Sequence, residues 1–246
     1  MKFDRSAQFG CLVAITLIVF AANIGIGVWQ GRLAAPPTYD DISYLYDAFQ
    51  RYYLQADRSL IAAMGTFLEN PPHAPLSTIV AMIGYAIAGP HVISPYLANL
   101  IAFSGYAAFI YWLARPLAPA PRLMMTAIAL FLPAVHTLAN EFRPDMTAGF
   151  LFAVAIYLVI TVRVDECTKR AAIALGFFLA LAMTAKPTSL VVSIPGIGLA
   201  TVIGIAETIH RRGFRNAVRA WTPVIIGAVV PMLLFAAIFG EHTVKY

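Results

Sequence analysis

The sequence predicts an all-helical integral membrane protein of about seven transmembrane helices, on the strength of its composition and its long charge-free runs. Of its 246 residues, 60% are hydrophobic and only 12% are charged, and the mean hydropathy is +0.76. A soluble domain is roughly 45–50% apolar and about one quarter charged. A disordered chain is excluded because it would combine low hydrophobicity with high charge, and a soluble enzyme is disfavoured for the same compositional reason.

The charge-free runs place the individual helices. A helix needs roughly 20 apolar residues to cross a bilayer, and runs without Asp, Glu, Lys or Arg cover 6–31, 70–114, 123–140, 146–162, 171–185, 187–206 and 220–240. The first run is too long and too apolar for the core of a signal peptide, so we expect a retained anchor. Gly89-Pro90 divides the second run into a short piece at 75–89 and a spanning piece. The predicted spans are 8–30, 92–114, 123–140, 144–163, 170–186, 188–208 and 220–240.

Residues 31–91 form a large outer loop in this scheme, with 75–89 as an interfacial or re-entrant helix. If 75–89 does not cross, eleven of the 17 Lys and Arg residues face the inside, whereas only five do if it crosses. The positive-inside rule therefore favours the first arrangement, with the N-terminus inside and the C-terminus outside. We expect a single membrane domain over 1–246, placed in a bacterial cytoplasmic membrane. Its pI near 9.3 then reflects anchoring charge, and no nucleic-acid partner is needed.

Several chemistries lack sequence support. Cys11 and Cys167 are too few for a disulfide framework or a zinc site. The chain has no HExxH, CxxC, Gly-x-Ser-x-Gly or phosphate-loop motif, so zinc hydrolysis, thiol chemistry, a serine elbow and ATP hydrolysis are not indicated.

Acidic residues gather on the predicted outer side. Asp40 and Asp41 follow a Pro-rich approach and open an aromatic stretch that contains Tyr44, as expected of a helix at a membrane interface. An acid before a helix is also an ordinary cap, and that alternative stays open. Asp47, Asp57 and Glu69 are equally well explained as a solvated helix face.

Two further outer sites carry charge. Glu141, Arg143 and Asp145 stand between two predicted spans, where the first two can be interface charges and the third can offset a helix dipole. Lys186 lies between two apolar runs and precedes a proline. It is either a lysine that snorkels from a span end or the cation of a phosphate or other anion site.

Four motifs, taken in order, resemble a known superfamily. Asp40-Asp41-x-x-Tyr44 is similar to an Asp-Glu-x-x-Tyr first-loop motif, and the stretch from His73 to Leu76 is similar to His-Pro-Pro-Leu before an interfacial helix that Gly89 would end. Arg143-Pro144-Asp145 resembles an Arg-x-Asp that opens the fourth span, and the turn at Lys186 resembles Thr-Lys-Gly-Pro. Together they resemble the GT-C glycosyltransferases, in particular protein mannosyltransferases and lipid A aminoarabinose transferases.

The resemblance implies a GT-C-like core and transfer of a sugar from a polyprenyl-phosphate donor to a glycan, lipid or protein acceptor, with inversion. On this hypothesis Asp40 is the general base and Asp41 orients it or raises its pKa. Lys186 holds the lipid phosphate. The remaining substrate-binding residues would be Arg143, Asp145, His73, Tyr44 and Glu141.

No cofactor is required by this hypothesis. Some relatives use a divalent metal, for which Asp40 and Asp41 would be the ligands. Such enzymes usually continue beyond a seventh span, so the chain is expected to be a fragment, a degenerate copy or a compact member with a partner subunit. Two other functions stay open: a lipid flippase or transporter, and a non-catalytic assembly subunit.

Overall fold

The computed structural model describes residues 4–33, 39–72, 74–186 and 190–243, and within these ranges it contains helices and no strand. This confirms the all-helical class. In chain order the α-helices are α1 (Arg5–Trp29), α2 (Tyr39–Asp57), α3 (Leu60–Glu69), α4 (Pro75–Ala88), α5 (Ser94–Ala98), α6 (Leu100–Leu113), α7 (Pro119–Leu130), α8 (Pro133–Ala139), α9 (Asp145–Thr161), α10 (Lys169–Thr184), α11 (Leu190–Arg212) and α12 (Phe214–Thr243). A 3₁₀-helix at Val164–Glu166 precedes α10.

Several helices are long and apolar enough to cross a membrane, which is consistent with the predicted helical membrane protein. There are four of them among the described residues: α1, the pair α5–α6 over Ser94–Leu113, α11, and α12 over Phe214–Ala237. The bent pair α7–α8 would be a fifth. The predicted spans 144–163 and 170–186 are helices of 17 and 16 residues, which at about 1.5 Å per residue are shorter than a bilayer core of about 30 Å. The count of seven spans stays a prediction.

The predicted span 123–140 is broken rather than continuous. α7 ends at Leu130, α8 begins at Pro133, and the two helices meet at 61°. Leu132 between them is extended, with φ −60° and ψ 136°. Proline disfavours the helical conformation in the residue before it and has no N–H to donate to the preceding turn, so Pro133 starts a new helix.

The predicted outer loop is helical through most of its described length. The expected interfacial helix is α4, whose 14 residues span about 21 Å at 1.5 Å per residue. Gly89 follows it with φ +79°, a conformation that glycine adopts without steric cost and that commonly ends helices.

The chain divides into two compact units. The first comprises Met1–Phe67 and Pro75–Met146, and the second comprises Leu68–Ala74 and Thr147–Tyr246. The first unit has a core of large apolar side chains, in which the rings of Phe20 and Phe103 lie 5.4 Å apart and Leu130 and Phe142 are buried. The expectation of one membrane domain over 1–246 stays a prediction.

The second unit is organised by the packing of α10 on α12. Gly176 and Gly227 lie where these helices cross: a Cβ on Gly176 would overlap the carbonyl oxygen of Val224, and one on Gly227 would overlap that of Ile173. Small residues let helix backbones approach closely in this way. Trp221 of α12 is buried and donates its indole N–H to the hydroxyl of Thr208 on α11, over 3.1 Å.

Candidate functional site

The predicted catalytic pair lies at the beginning of α2. The helix begins at Tyr39, so Asp40 and Asp41 occupy its first turn, where a carboxylate interacts favourably with the helix dipole. The side chains of both residues lie outside the described part of the structure. By helical periodicity, positions 40, 44, 47 and 51 share one face of α2.

The rest of α2 is amphipathic. Leu45, Ala48 and Arg51 are buried, whereas Ile42 and Tyr46 are at least half exposed. The rings of Phe49 and Tyr52 each lie 5.7 Å from that of Tyr85 on α4. Tyr44 is partly buried against the core of the first unit. Exposed aromatic and apolar side chains on one face are typical of a helix at a membrane interface.

Arg51 is a buried cation that the sequence did not single out. Its side chain is only 4% exposed; its guanidinium lies 4.8 Å from the ring centre of Phe67 and 3.4 Å from a carboxylate oxygen of Asp47. Burial lowers the pKa of Arg51, although a guanidinium remains charged at neutral pH. Asp47 therefore has a buried partner and is not simply part of a solvated face.

The predicted sites Glu141, Arg143 and Asp145 belong to one short, anchored segment. Burial alternates along this segment. Phe142 and Pro144 are buried, whereas the charged residues Glu141, Arg143 and Asp145 are half-buried. Arg143 Nε lies 3.4 Å from Glu141 Oε2. The structure thus brings Glu141 and Arg143 together, and Asp145 begins α9 directly after them.

Asn99 fixes this segment within the first unit. Its side-chain amide donates to the carbonyl oxygens of Ala139 and Glu141, over 3.4 and 3.1 Å. Asn99 follows α5, which packs on α4, and α4 in turn packs on α2. The start of α2 and the 141–145 segment are therefore parts of one packed unit.

A buried polar cluster lies between α1 and α8 of the same unit. His136 Nδ1 is hydrogen-bonded to Asn23 Oδ1, and Asn140 Nδ2 donates to the His136 carbonyl over 3.1 Å. Asn23 Nδ2 and Asn140 Oδ1 are buried without a hydrogen-bond partner in the described part of the chain. Polar groups inside a candidate span are energetically costly, and the sequence signals for this contact were Asn23 in the first apolar run and His136 and Asn140 in the run 123–140.

Lys186 lies in the second unit, just after α10. It follows the end of α10 at Thr184 by two residues and is half-buried. Thr184 beside it donates its hydroxyl hydrogen to the carbonyl of Ala180, over 2.9 Å. This position at a helix end fits a snorkelling lysine and an anion ligand equally well.

Two remaining predictions are not covered by the described residues. His73 lies outside them. Within the described ranges, no group of three or more His, Cys, Asp or Glu side chains is arranged to hold a metal ion. The suggested metal role of Asp40 and Asp41 depends on side chains outside that description, and it stays a prediction.

The comparisons with known proteins leave the family open. No protein-family model, no curated protein and no solved structure matches this chain. The resemblance to GT-C glycosyltransferases therefore depends on the motif residues alone.

Proposed function

We propose that this protein is a membrane glycosyltransferase that moves a sugar from a polyprenyl-phosphate donor to an acceptor hydroxyl at the outer face of the cytoplasmic membrane. The observation that carries the proposal is the acid pair Asp40–Asp41 in the first turn of an amphipathic helix. That helix comes directly after the first candidate span and is packed on the short apolar helix α4. An acid there would lie at the membrane–water interface, where a lipid-linked donor and an acceptor hydroxyl can meet.

The proposed reaction forms one bond and breaks one bond at the anomeric carbon. Asp40 accepts the proton of the acceptor hydroxyl as that oxygen attacks the anomeric carbon. The bond between this carbon and the phosphate oxygen breaks, and the electron pair leaves with the polyprenyl phosphate. Lys186 would stabilise the negative charge on the departing phosphate, since a positioned cation lowers the energy of such a transition state.

Other residues would position the substrates. Arg143, fixed beside Glu141, would contact the donor phosphate, and Asp145 would orient Arg143 or the acceptor. Tyr44 lies one turn after Asp40 on the same face of α2, where it would contact the sugar. His73 would bind the phosphate or support the residues that do.

The proposal is tested by sugar transfer in membranes that contain the full chain. The donor would be a radiolabelled polyprenyl-phosphate hexose or pentose, and the readout would be label transferred to lipid-extracted envelope material. We expect Asp40→Asn to reduce transfer roughly a hundredfold or more, because general-base catalysis contributes about that much, with unchanged protein amount in the membrane.

Asp57→Asn is the matched control, because it removes an exposed carboxylate from the other end of α2. It should keep transfer within about twofold, as exposed surface changes usually have small effects. Full transfer activity in Asp40→Asn would refute the base assignment. Equal transfer in membranes with and without the protein would favour the assembly-subunit alternative.

A further inference from the structure

The second unit contains a cavity of about 430 Å³ that is open to the surface and has a partly polar, partly apolar lining. It lies at one end of the unit, where the 3₁₀-helix, the start of α10, the end of α11 and the start of α12 meet. Ligand pockets typically measure about 300–1,000 Å³. The cavity is therefore large enough for a small molecule or a lipid headgroup.

The cavity walls carry an excess of positive charge. Lys169, Arg212 and Arg219 line it together with the amide of Asn216, and the carboxylate of Asp165 is the only acid in the lining. Asn216 Nδ2 donates to the Arg212 carbonyl over 2.9 Å, which holds its side chain at the wall. Such a set of donors suits an anion with several oxygens.

The nearby acids are already engaged by arginines. Asp165 accepts hydrogen bonds of 3.0 Å from both Arg211 and Arg212. Glu166 accepts one of 3.2 Å from Arg163. Lys169 and Arg219, in contrast, have no carboxylate partner among the described residues. Their charges are available to a ligand, and Asp165 fixes the guanidinium of Arg212 at the same cavity.

The cavity lies at the end of two candidate spans, α11 and α12. The remaining lining residues are Val164, Cys167, Ala172, Ala220 and Pro223, which are mostly small and apolar. On the same helix α12, Val218 and Ile225 are about half exposed. A basic pocket between candidate spans can bind the headgroup of an anionic phospholipid. The apolar surface beside the pocket would then contact the acyl chains of that lipid.

We propose that this cavity binds a phosphate-bearing anion, with Lys169 and Arg219 as its ligands and Arg212 as a third donor oriented by Asp165. The shared chemistry is a phosphate monoester or diester. Its source is either an anionic lipid headgroup or a soluble phosphate compound. The site does not depend on any transfer activity of the protein.

The test measures ligand binding to the full chain in a neutral detergent by native mass spectrometry. The probes are phosphatidylglycerol, phosphatidylcholine as the zwitterionic comparison, and glycerol 3-phosphate as a headgroup without chains. We expect saturable binding of one phosphate-bearing ligand per chain. The double variant Lys169→Gln/Arg219→Gln should weaken it about tenfold or more, because it removes two exposed charge-assisted contacts that are each worth roughly a factor of three to five.

Two controls separate the cavity from general positive charge. Arg170→Gln/Arg215→Gln removes the same charge from neighbours that are exposed like Lys169 and Arg219 but do not line the cavity, and it should leave affinity within about twofold because neither residue contacts the bound ligand. Lys169→Arg/Arg219→Lys keeps both charges and should retain binding. Elution profiles and thermal midpoints of all variants verify that they are folded.

Each outcome has a definite meaning. Preference for phosphatidylglycerol over glycerol 3-phosphate identifies a lipid site, and equal or tighter binding of glycerol 3-phosphate identifies a soluble phosphate ligand. Equal losses in the two glutamine double variants would overturn the proposal, because charge alone would then explain the binding. Absence of saturable binding of any phosphate probe would also overturn it.

Discussion

At the scale of single residues, the sequence indicated where charges gather and missed how they pair. Arg51 lies in a stretch that reads as an interfacial helix, and nothing in its neighbours along the chain predicts burial. Its burial depends on Phe67, sixteen positions away, and on a turn of α2 that brings Asp47 alongside. The Asp47–Arg51 pair has i,i+4 spacing on one helix, which the sequence does contain. The contact with Phe67 is tertiary, and a pattern of residue types does not contain it.

Arg51 is expected to stabilise the first unit. Arg51→Ala should lower stability by about 2 kcal/mol, because it removes a stacked, partly desolvated cation and leaves Asp47 without its partner. Asp47 is 24% exposed and remains partly hydrated, which limits the loss. Arg58→Ala, an exposed arginine just after α2, is the control and should change the thermal midpoint in detergent very little. Equal midpoints for the two variants would contradict this account.

Asp165 gives a pH-dependent contribution to the second unit. Burial alone would raise its pKa, but the hydrogen bond from Arg212 and the charges of Arg211 and Arg212 hold the pKa below the ordinary 3.8. A lowered pKa in the folded state means that the stabilisation is present above pH 3.8 and disappears as the pH falls through the folded-state pKa.

Asp165→Asn should therefore lower the thermal midpoint by a few degrees at pH 7. The difference from the wild type should shrink as the pH falls below 3.8, because the wild-type carboxyl then becomes protonated as well. Midpoints measured from pH 7 down to the acid limit of solubility test this. A difference that stays constant over the whole range would show that Asp165 acts without its charge.

At the scale of elements, helix positions were largely predictable and helix continuity was not. Hydropathy predicted the positions of α1, α5–α6, α11 and α12, because a helix that crosses a bilayer must be apolar over its whole length. Prolines had different effects that the sequence alone did not distinguish. Pro195, Pro223 and Pro231 lie inside α11 and α12, whereas Pro133 starts a new helix. The outcome depends on how neighbouring helices satisfy the freed backbone groups.

The crossing of α10 and α12 is expected to depend on Gly176. Gly176→Ala should destabilise the second unit by about 1–3 kcal/mol, because the added Cβ overlaps the Val224 carbonyl and forces the two helices apart. Gly198→Ala in α11 is the matched control, since no atom lies within 4 Å of its added Cβ. It should be neutral or slightly stabilising, as alanine is the better helix former. The reverse order of thermal midpoints would contradict the proposed packing.

At the scale of the whole molecule, composition predicted the apolar helices that are able to span a membrane, whereas the candidate site stays a prediction. The structure joins Glu141 to Arg143 within one anchored segment and places Asp40 and Asp41 in the first turn of α2, and their functional roles stay predictions. The roles of those residues depend on substrates, which a sequence pattern does not contain. Lys186 is the key residue in this respect, because the same position at a helix end fits both an anchor and a phosphate ligand.

The most direct test of the proposed donor class is mass spectrometry of lipids that stay bound after gentle purification of the full chain. The comparison is wild type, Lys186→Ala, and Arg170→Ala as an exposed cation control. We predict that wild type and Arg170→Ala retain a polyprenyl phosphate or its glycosylated form, and that Lys186→Ala loses it. Retention of only bulk phospholipid by all three proteins would contradict the proposal that this chain uses a polyprenyl-phosphate sugar.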